Sequence, residues 1–251
     1  MNWAFKRQLT IIIIIAGAVL AVLVPVVYHY IPEPSCTDNK QNQGELGVDC
    51  GGPCTKVCSI EASTPSVVWA RPFLISGTMY SAVAFISNPN PFFFAHKVNY
   101  RIKYFEGQEF IRDMKGTINI PPKSNFPVFI EGRDMGGANP DKVLFSLDEN
   151  INWERSPSNI SEPIKVRQTR LSVTDATRVY TTLTNDSLST YKNIEVTSVI
   201  YDLYGNALAA SETFIERLSP HEDVEAVFTW PSVIATSTIG TIEVYPTQPN
   251  W

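Results

Sequence analysis

The chain has 251 residues, long enough for a sizeable core and for one or two domains. Hydrophobic residues make up 44 % and charged residues 18 %, a balance too apolar for intrinsic disorder. Twenty basic against 25 acidic residues give a net charge of −5, which argues against a general phosphate- or nucleic-acid-binding surface.

The hydrophobicity is concentrated at the N-terminus. After a short leader, residues 1–8, the segment Leu9 to Tyr28 carries no charge, and 17 of its 20 residues are apolar, including the run Ile11 to Ile15. As a helix it spans roughly 30 Å, the thickness of a hydrocarbon core. Lys6 and Arg7 precede it and the first charge after it is Glu33, so the positive-inside rule places the N-terminus in the cytoplasm and the later domains outside. Trp3, Tyr28 and Tyr30 fall where interfacial aromatics sit, and Pro25 falls in the last turn of the span. A cleaved signal peptide has an apolar stretch of about 7–15 residues followed by small residues. Here the stretch is longer and Tyr28-His29-Tyr30-Ile31-Pro32 is bulky, so an uncleaved single-pass anchor in the cell membrane is expected, with the bilayer as its partner over 9–28. Without Lys6 and Arg7 the remainder holds 18 basic and 25 acidic residues, −7 net, which suits a soluble exterior domain.

All four cysteines fall in the next segment, 33–60: Cys36, Cys50, Cys54 and Cys58. An even number clustered just outside a membrane anchor reads as two disulfides in an oxidising compartment, with three connectivities open. Zinc is the competing reading of four thiolates, but the spacing lacks the usual paired two-residue knuckles. Asp38, Asn42, Glu45 and Asp49 are spaced oxygen donors of the type calcium takes in a glycine-containing loop. The same residues also suit a polar knot whose side chains cap local backbone groups, and both readings stand on the sequence. Cys36, Asp38, Asn42, Glu45, Gly47, Asp49, Cys50, Gly51, Gly52 and Cys54 match the pattern C-x-D-[GN]-x-x-N-x-x-E-x-G-x-D-C-G-G-x-C. Over about 20 residues the segment thus resembles a cysteine module of bacterial exported proteins.

From residue 65 the pattern is strand-like. Val98, Tyr100, Ile102 and Tyr104 alternate with Asn99, Arg101 and Lys103, a period of two. Ser81, Val83 and Phe85 alternate with smaller residues before the turn Asn88-Pro89-Asn90-Pro91, and Val143, Phe145 and Leu147 make a further short strand. A second copy of the layout follows, with Asn185-Asp186-Ser187 for Asn88-Pro89-Asn90, Gly205 for Gly107, Pro220 for Pro122 and Phe228 for Phe129. The fold class predicted is mainly β, with two tandem immunoglobulin-like antiparallel sandwiches over 65–148 and 164–251. The Asn-, Ser- and Pro-rich segment 149–163 is the expected linker.

Phe85-Ile86-Ser87-Asn88-Pro89-Asn90, then Val98-Asn99-Tyr100-Arg101-Ile102 and Gly107, resembles the late-embryogenesis-abundant type 2 (WHy) sandwich. Ser198-Val199-Ile200-Tyr201-Asp202, with Gly205 and Leu218-Ser219-Pro220, is similar to the bacterial FxLYD domain, Ser198 and Ile200 standing for the motif's Phe and Leu. Both resemblances imply extracytoplasmic modules without a catalytic site.

No nucleophile elbow, zinc-protease helix or phosphate loop is present. His29, His96 and His221 read as surface or interfacial residues, and Asp134, Asp141, Asp148 and Glu149 are too scattered to frame a carboxylate pair. Phe92, Phe93 and Phe94 stand in a row, and an extended chain cannot turn all three to one core. Either one is exposed for a partner, or a bulge buries them all. Asn159 and Asn185 head glycosylation triplets. A membrane-anchored interaction or scaffold protein without catalysis, engaging an envelope or surface protein, is the leading expectation. A calcium- or carbohydrate-dependent adhesin and an accessory subunit of an envelope membrane complex are the alternatives.

Overall fold

The computed structural model describes residues 3–30, 35–156 and 162–247 and, within its N-terminal helix, the side chains of residues 7–26. The side chains of Trp3, Tyr28, His29 and Tyr30, the Asn159 triplet and residues 157–161 of the expected linker lie outside the described residues. The chain divides into two units, Met1–Pro53 and Cys54–Trp251.

The first unit opens with α1, Trp3–Tyr30, which runs through Pro25 rather than ending just after it. Arg7–Val26 is long and apolar enough to cross a membrane, and none of that span is buried against protein. Its Ile and Val residues are middling helix formers in water. In hydrocarbon, a helix bonds its own backbone groups internally, and the exposed apolar side chains then face a solvent that accepts them.

The second unit is mainly β. β1 (Ser66–Ser76), β2 (Met79–Asn88), β3 (Phe93–Glu106), β4 (Glu109–Ile120), β5 (Ser124–Asp134), β6 (Lys142–Leu147) and β7 (Trp153–Arg155) form one sandwich. β8 (Ile164–Val173), β9 (Thr177–Asn185), β10 (Tyr191–Asp202), β11 (Ala207–Leu218), β12 (Asp223–Trp230) and β13 (Ile239–Pro246) form the other. In the first, sheet β1-β2-β5 faces sheet β4-β3-β6, with Tyr80, Ala82, Ala84, Ile86, Ile102, Tyr104, Val128 and Phe145 packed between them. In the second, β8-β9-β12 faces β11-β10-β13 around Val179, Leu183, Ile194, Val196, Ile200, Ala226 and Phe228. Strand order and pairing repeat from one sandwich to the other, and every pairing is antiparallel.

The turns repeat as well. Gly107 and Gly205 take φ of 60° and 80° in the two equivalent hairpins, a conformation that side chains with a Cβ resist. Lys97 and Asn193, and likewise Lys123 and His221, take positive φ at matching places. Most telling are two buried asparagines. Asn88 is 2 % exposed; its Nδ2 donates to the carbonyls of Phe93 at 3.0 Å and Pro121 at 2.6 Å, and its Oδ1 accepts from Asn90 N at 3.1 Å. Asn185 is fully buried; its Nδ2 donates to Ser189 O at 2.7 Å, Leu218 O at 3.3 Å and Ser219 O at 2.9 Å, and its Oδ1 accepts from Ser187 N at 3.0 Å. Each amide closes a turn two residues long and ties it to the loop before the fifth strand of its copy.

The segment 149–163 is not all linker. Trp153–Arg155 forms β7, which pairs with Phe93–Ala95 of β3, and Trp153 is buried with Val57, Ala95, Val98 and Ile120. A buried tryptophan outweighs the polar composition around it. The C-terminal part of the cysteine segment joins the same edge: Val57 N donates to Trp153 O at 2.9 Å and Arg155 N to Thr55 O at 2.7 Å. Asn90 then clasps the chain at Ser63, giving to its carbonyl at 2.7 Å and accepting from its N–H at 2.8 Å.

The two sandwiches also share a core. β2 and β10 are buried on both faces, and their outward residues Val83, Val199 and Tyr201 pack with Phe73, Ala207 and Ala210. Trp69, Phe129 and Tyr245 close around them. The corresponding outer faces at the two ends are polar. Arg101 and Lys103 of β3 take the positions of Val199 and Tyr201, and Tyr180 and Thr182 of β9 those of Val83 and Phe85. On the β8-β9-β12 face Arg170 lies over the Tyr180 ring at 4.3 Å and pairs with Glu225 at 2.8 Å.

Removing either asparagine strands buried carbonyls. Asn185→Ala and Asn88→Ala are each expected to cost about 2–4 kcal/mol in denaturant unfolding, with Asn185→Ala the larger because it loses three acceptors.

Candidate functional site

Within the first unit, the oxygen donors of the cysteine segment are brought together as a set of turns. Asp49 accepts from the Asn39 N–H through both carboxylate oxygens, at 3.1 and 3.0 Å. Asp38 accepts from Asn42 Nδ2 at 2.8 Å and from Lys40 N at 2.9 Å. The first of these bonds is the main cause that holds the Asp38 carboxyl below its usual range. Glu45 is buried and its Oε2 takes the N–H groups of Asn42 at 3.3 Å and Asp49 at 3.2 Å. Asn39 and Asp49 hold φ of 58° and 54°, which these bonds enforce. Every carboxylate is thus matched to an N–H within the loop. Cys36, Cys50, Cys54 and Cys58 are all disulfide-bonded, so no thiolate is left for zinc.

The three phenylalanines part company. Phe92 is 50 % exposed, Phe93 is half-buried with the Arg155 guanidinium 5.3 Å from its ring, and Phe94 is buried with its ring edge-on to His96 at 5.1 Å. Pairing with β7 keeps Phe93 and Phe94 extended, so their side chains alternate across the sheet. The matching loop of the second sandwich carries its own exposed apolar residue, Leu188, at 85 %.

Other residues considered from sequence have structural duties. Asp134 caps Gly136 N at 2.9 Å, which with a bond from Thr78 lowers its carboxyl. Asp141 caps Gly107 N at 3.0 Å, Asp148 caps Asn150 N at 3.4 Å, and His96 Nδ1 lies 3.4 Å from Asn119 Oδ1. Glu149 is exposed and His221 occupies a turn. The Asn185 amide is buried and fully engaged, which closes that triplet to a glycan.

The contact between the sandwiches is the largest feature missing from the sequence reading. Trp69 stacks on Phe85 at 5.5 Å and meets Tyr201 edge-on at 6.3 Å, while Tyr245 meets Phe85 edge-on at 5.5 Å. Arg71 reaches across to Ala207 O at 3.4 Å and Asn206 Oδ1 at 3.3 Å. Tyr245 Oη donates to the Glu243 carboxylate; burial and that bond keep its hydroxyl from ionising. The signal was present: Tyr80-Ser81-Ala82-Val83-Ala84-Phe85-Ile86 and Val199-Ile200-Tyr201 do not alternate, as strands covered on both faces do not. Beside the contact lies a cleft of about 990 Å³, lined among others by Phe92, Phe126, Lys165, Glu195, Glu212 and Tyr245.

No family model matches this chain, and no curated protein matches it. Among solved structures, red sea bream transglutaminase superposes with a TM-score of 0.23 and 12 % identity, over 73 % of this chain and 28 % of that one. So loose a superposition transfers neither fold nor activity.

Two measurements check these assignments. Millimolar calcium, against chelator, is expected to leave the thermal midpoint of the full chain unchanged; a rise of several degrees would make Asp38, Asn42, Glu45 and Asp49 a metal site. Phe94→Ala is expected to cost about 3–4 kcal/mol, Phe93→Ser less, and Phe92→Ser under about 0.5 kcal/mol in denaturant unfolding.

Proposed function

We propose that this chain is a single-pass membrane protein, anchored with its N-terminus in the cytoplasm, that holds a joined pair of β-sandwiches outside the membrane as a non-catalytic interaction module. The observation that carries the reading is the pairing of α1, apolar and exposed over Arg7–Val26, with a disulfide-bonded segment and a polar-faced β body. An exposed apolar helix needs lipid, and disulfides need an oxidising compartment. The resemblance of the cysteine segment to exported bacterial modules supports the same side of the membrane. The carboxylates and histidines described above are engaged in turns and caps, which supports a binding role over a catalytic one.

For partner contact we assign the exposed loop residues Phe92 and Leu188, which occupy the same loop in the two copies. Strand addition is disfavoured at the edge strands β1, β5 and β13, which carry Pro72, Pro127 and Pro246.

Membrane fractionation and cross-linking test the reading together. The full chain is expected to stay with membranes through a high-salt carbonate wash, with its sandwiches digested by protease added from outside. A chain lacking residues 1–30 should be released. Cross-linked partners should be retained when Leu9 to Tyr28 is replaced by an unrelated apolar helix, and lost in the Phe92→Ser/Leu188→Ser double variant with its thermal midpoint unchanged. Loss on the helix swap, with partners kept in the double variant, would instead make the anchor the binding element of a membrane-complex subunit.

A further inference from the structure

The shared core of the two sandwiches runs out into an acidic end. Along β11-β10-β13 the rows facing the first sandwich read Ala207–Tyr201–Thr241, then Ala210–Val199–Glu243, then Glu212–Thr197–Tyr245, with Phe214–Glu195 beyond. Ala207, Tyr201, Ala210 and Val199 lie in the shared core, and Glu212 lies where that core opens into the cleft. From the opposite side β5 contributes Phe129 to the core and, two residues on and on the same face, Glu131 to the cleft. Three carboxylates from three strands and both sandwiches therefore converge on one space, with Glu212 half-buried and Glu131 and Glu195 at its mouth.

Two of the cations near them are paired with carboxylates, one of them with Glu131 itself, while Lys97 and Lys123 also line the cleft. Arg133 pairs with Glu131 at 3.7 Å, and Lys165 with Glu162 at 3.5 Å. Among the described residues no Lys or Arg lies within 4.0 Å of Glu212 or Glu195. Glu212 accepts a hydrogen bond from the Thr197 hydroxyl at 3.3 Å. Tyr201, Tyr245 and Glu243 lie on the same face, Lys97, Tyr100 and Lys123 line the cleft from the first sandwich and Glu162 and Lys165 from the second, and Arg71 and Asp202 lie at the far end.

We propose that docking of the two sandwiches is a pH-sensitive contact, tight while Glu212 carries a proton and loosened when Glu212 ionises against Glu195 and Glu131. Burial, reinforced by the Glu195 charge, pushes the Glu212 carboxyl from 4.5 up to about 7. Because the docked form binds the proton more tightly than the exposed carboxyl does, its advantage is full below pH 4.5 and is lost as the pH rises through about 7. The carboxyl keeps partial access to water, so the docking equilibrium is expected to weaken about tenfold between pH 5.5 and 8.5, less than full burial would give.

Fluorine NMR on the full chain in detergent, labelled with 5-fluorotryptophan, reads the contact at Trp69, whose ring meets Tyr201 across it. The Trp69 signal, identified with Trp69→Phe, is expected to move with a midpoint near pH 7 toward its position in urea, while the Trp153 and Trp230 signals stay put. Glu212→Gln should hold it at the docked position throughout, and Glu131→Gln should shift the midpoint down. A Trp69 signal constant from pH 5 to 8.5, or one that titrates unchanged in Glu212→Gln, overturns the proposal. Joint movement of all three signals means general unfolding and overturns it as well.

Discussion

The β architecture hangs on two strands that have no free face. β2 presents Ala82, Ala84 and Ile86 to the first sandwich interior and Val83 and Phe85 to the second sandwich. β10 does the same in reverse with Val196 and Ile200 inward and Val199 and Tyr201 outward. Small residues at the centre, Ala207 and Ala210, let the backbones approach, and the aromatic rim of Trp69, Phe85, Tyr201 and Tyr245 excludes water. A change at Val83 or Val199 is therefore felt in both sandwiches, whereas at most positions each copy answers only for itself. The outer faces at the two ends, which have no such partner, carry Arg101, Lys103, Arg170 and Glu225 instead.

Duplication is written more firmly in backbone chemistry than in side-chain identity. Asn88 and Asn185 are chemically the same device, each an amide that satisfies buried carbonyls of two loops at once. Around them the two copies differ in sequence, as a sandwich interior accepts any apolar residue of suitable volume on the right parity. The buried amides Asn88 and Asn185 and the left-handed hairpin glycines Gly107 and Gly205 are identical in the two copies, whereas the left-handed pairs Lys97 and Asn193, and Lys123 and His221, differ.

Much of this was legible in the residues. Composition placed the apolar helix, period-two alternation placed β3, and the spacing of asparagine, glycine and proline exposed the repeat. Two kinds of feature escaped. Trp153 sits in a polar stretch, and nothing local announces that a three-residue strand will close over it. The sandwich contact depends on side chains far apart in sequence, such as Trp69 and Tyr201, whose meeting follows only from the tertiary arrangement. In β2 the alternation of Val83 and Phe85 with small alanines hides an apolar run that is covered on both faces. The oxygen-rich cysteine segment was ambiguous for another reason: ligands for a cation and acceptors for backbone N–H groups are the same residue types.

The two copies meet head to tail, one using its β1-β2-β5 sheet and the other its β11-β10-β13 sheet. A contact of that kind has no built-in end point, since each added unit would offer the surface needed by the next. In this chain the two outer faces differ from the contact in their chemistry. Arg101 and Lys103 occupy the leading face and Arg170, Tyr180 and Glu225 the trailing one, where a third unit would need aliphatic partners. The two sandwiches thus join through unlike faces, and the outer faces left over carry charged side chains where the contact carries aliphatic ones.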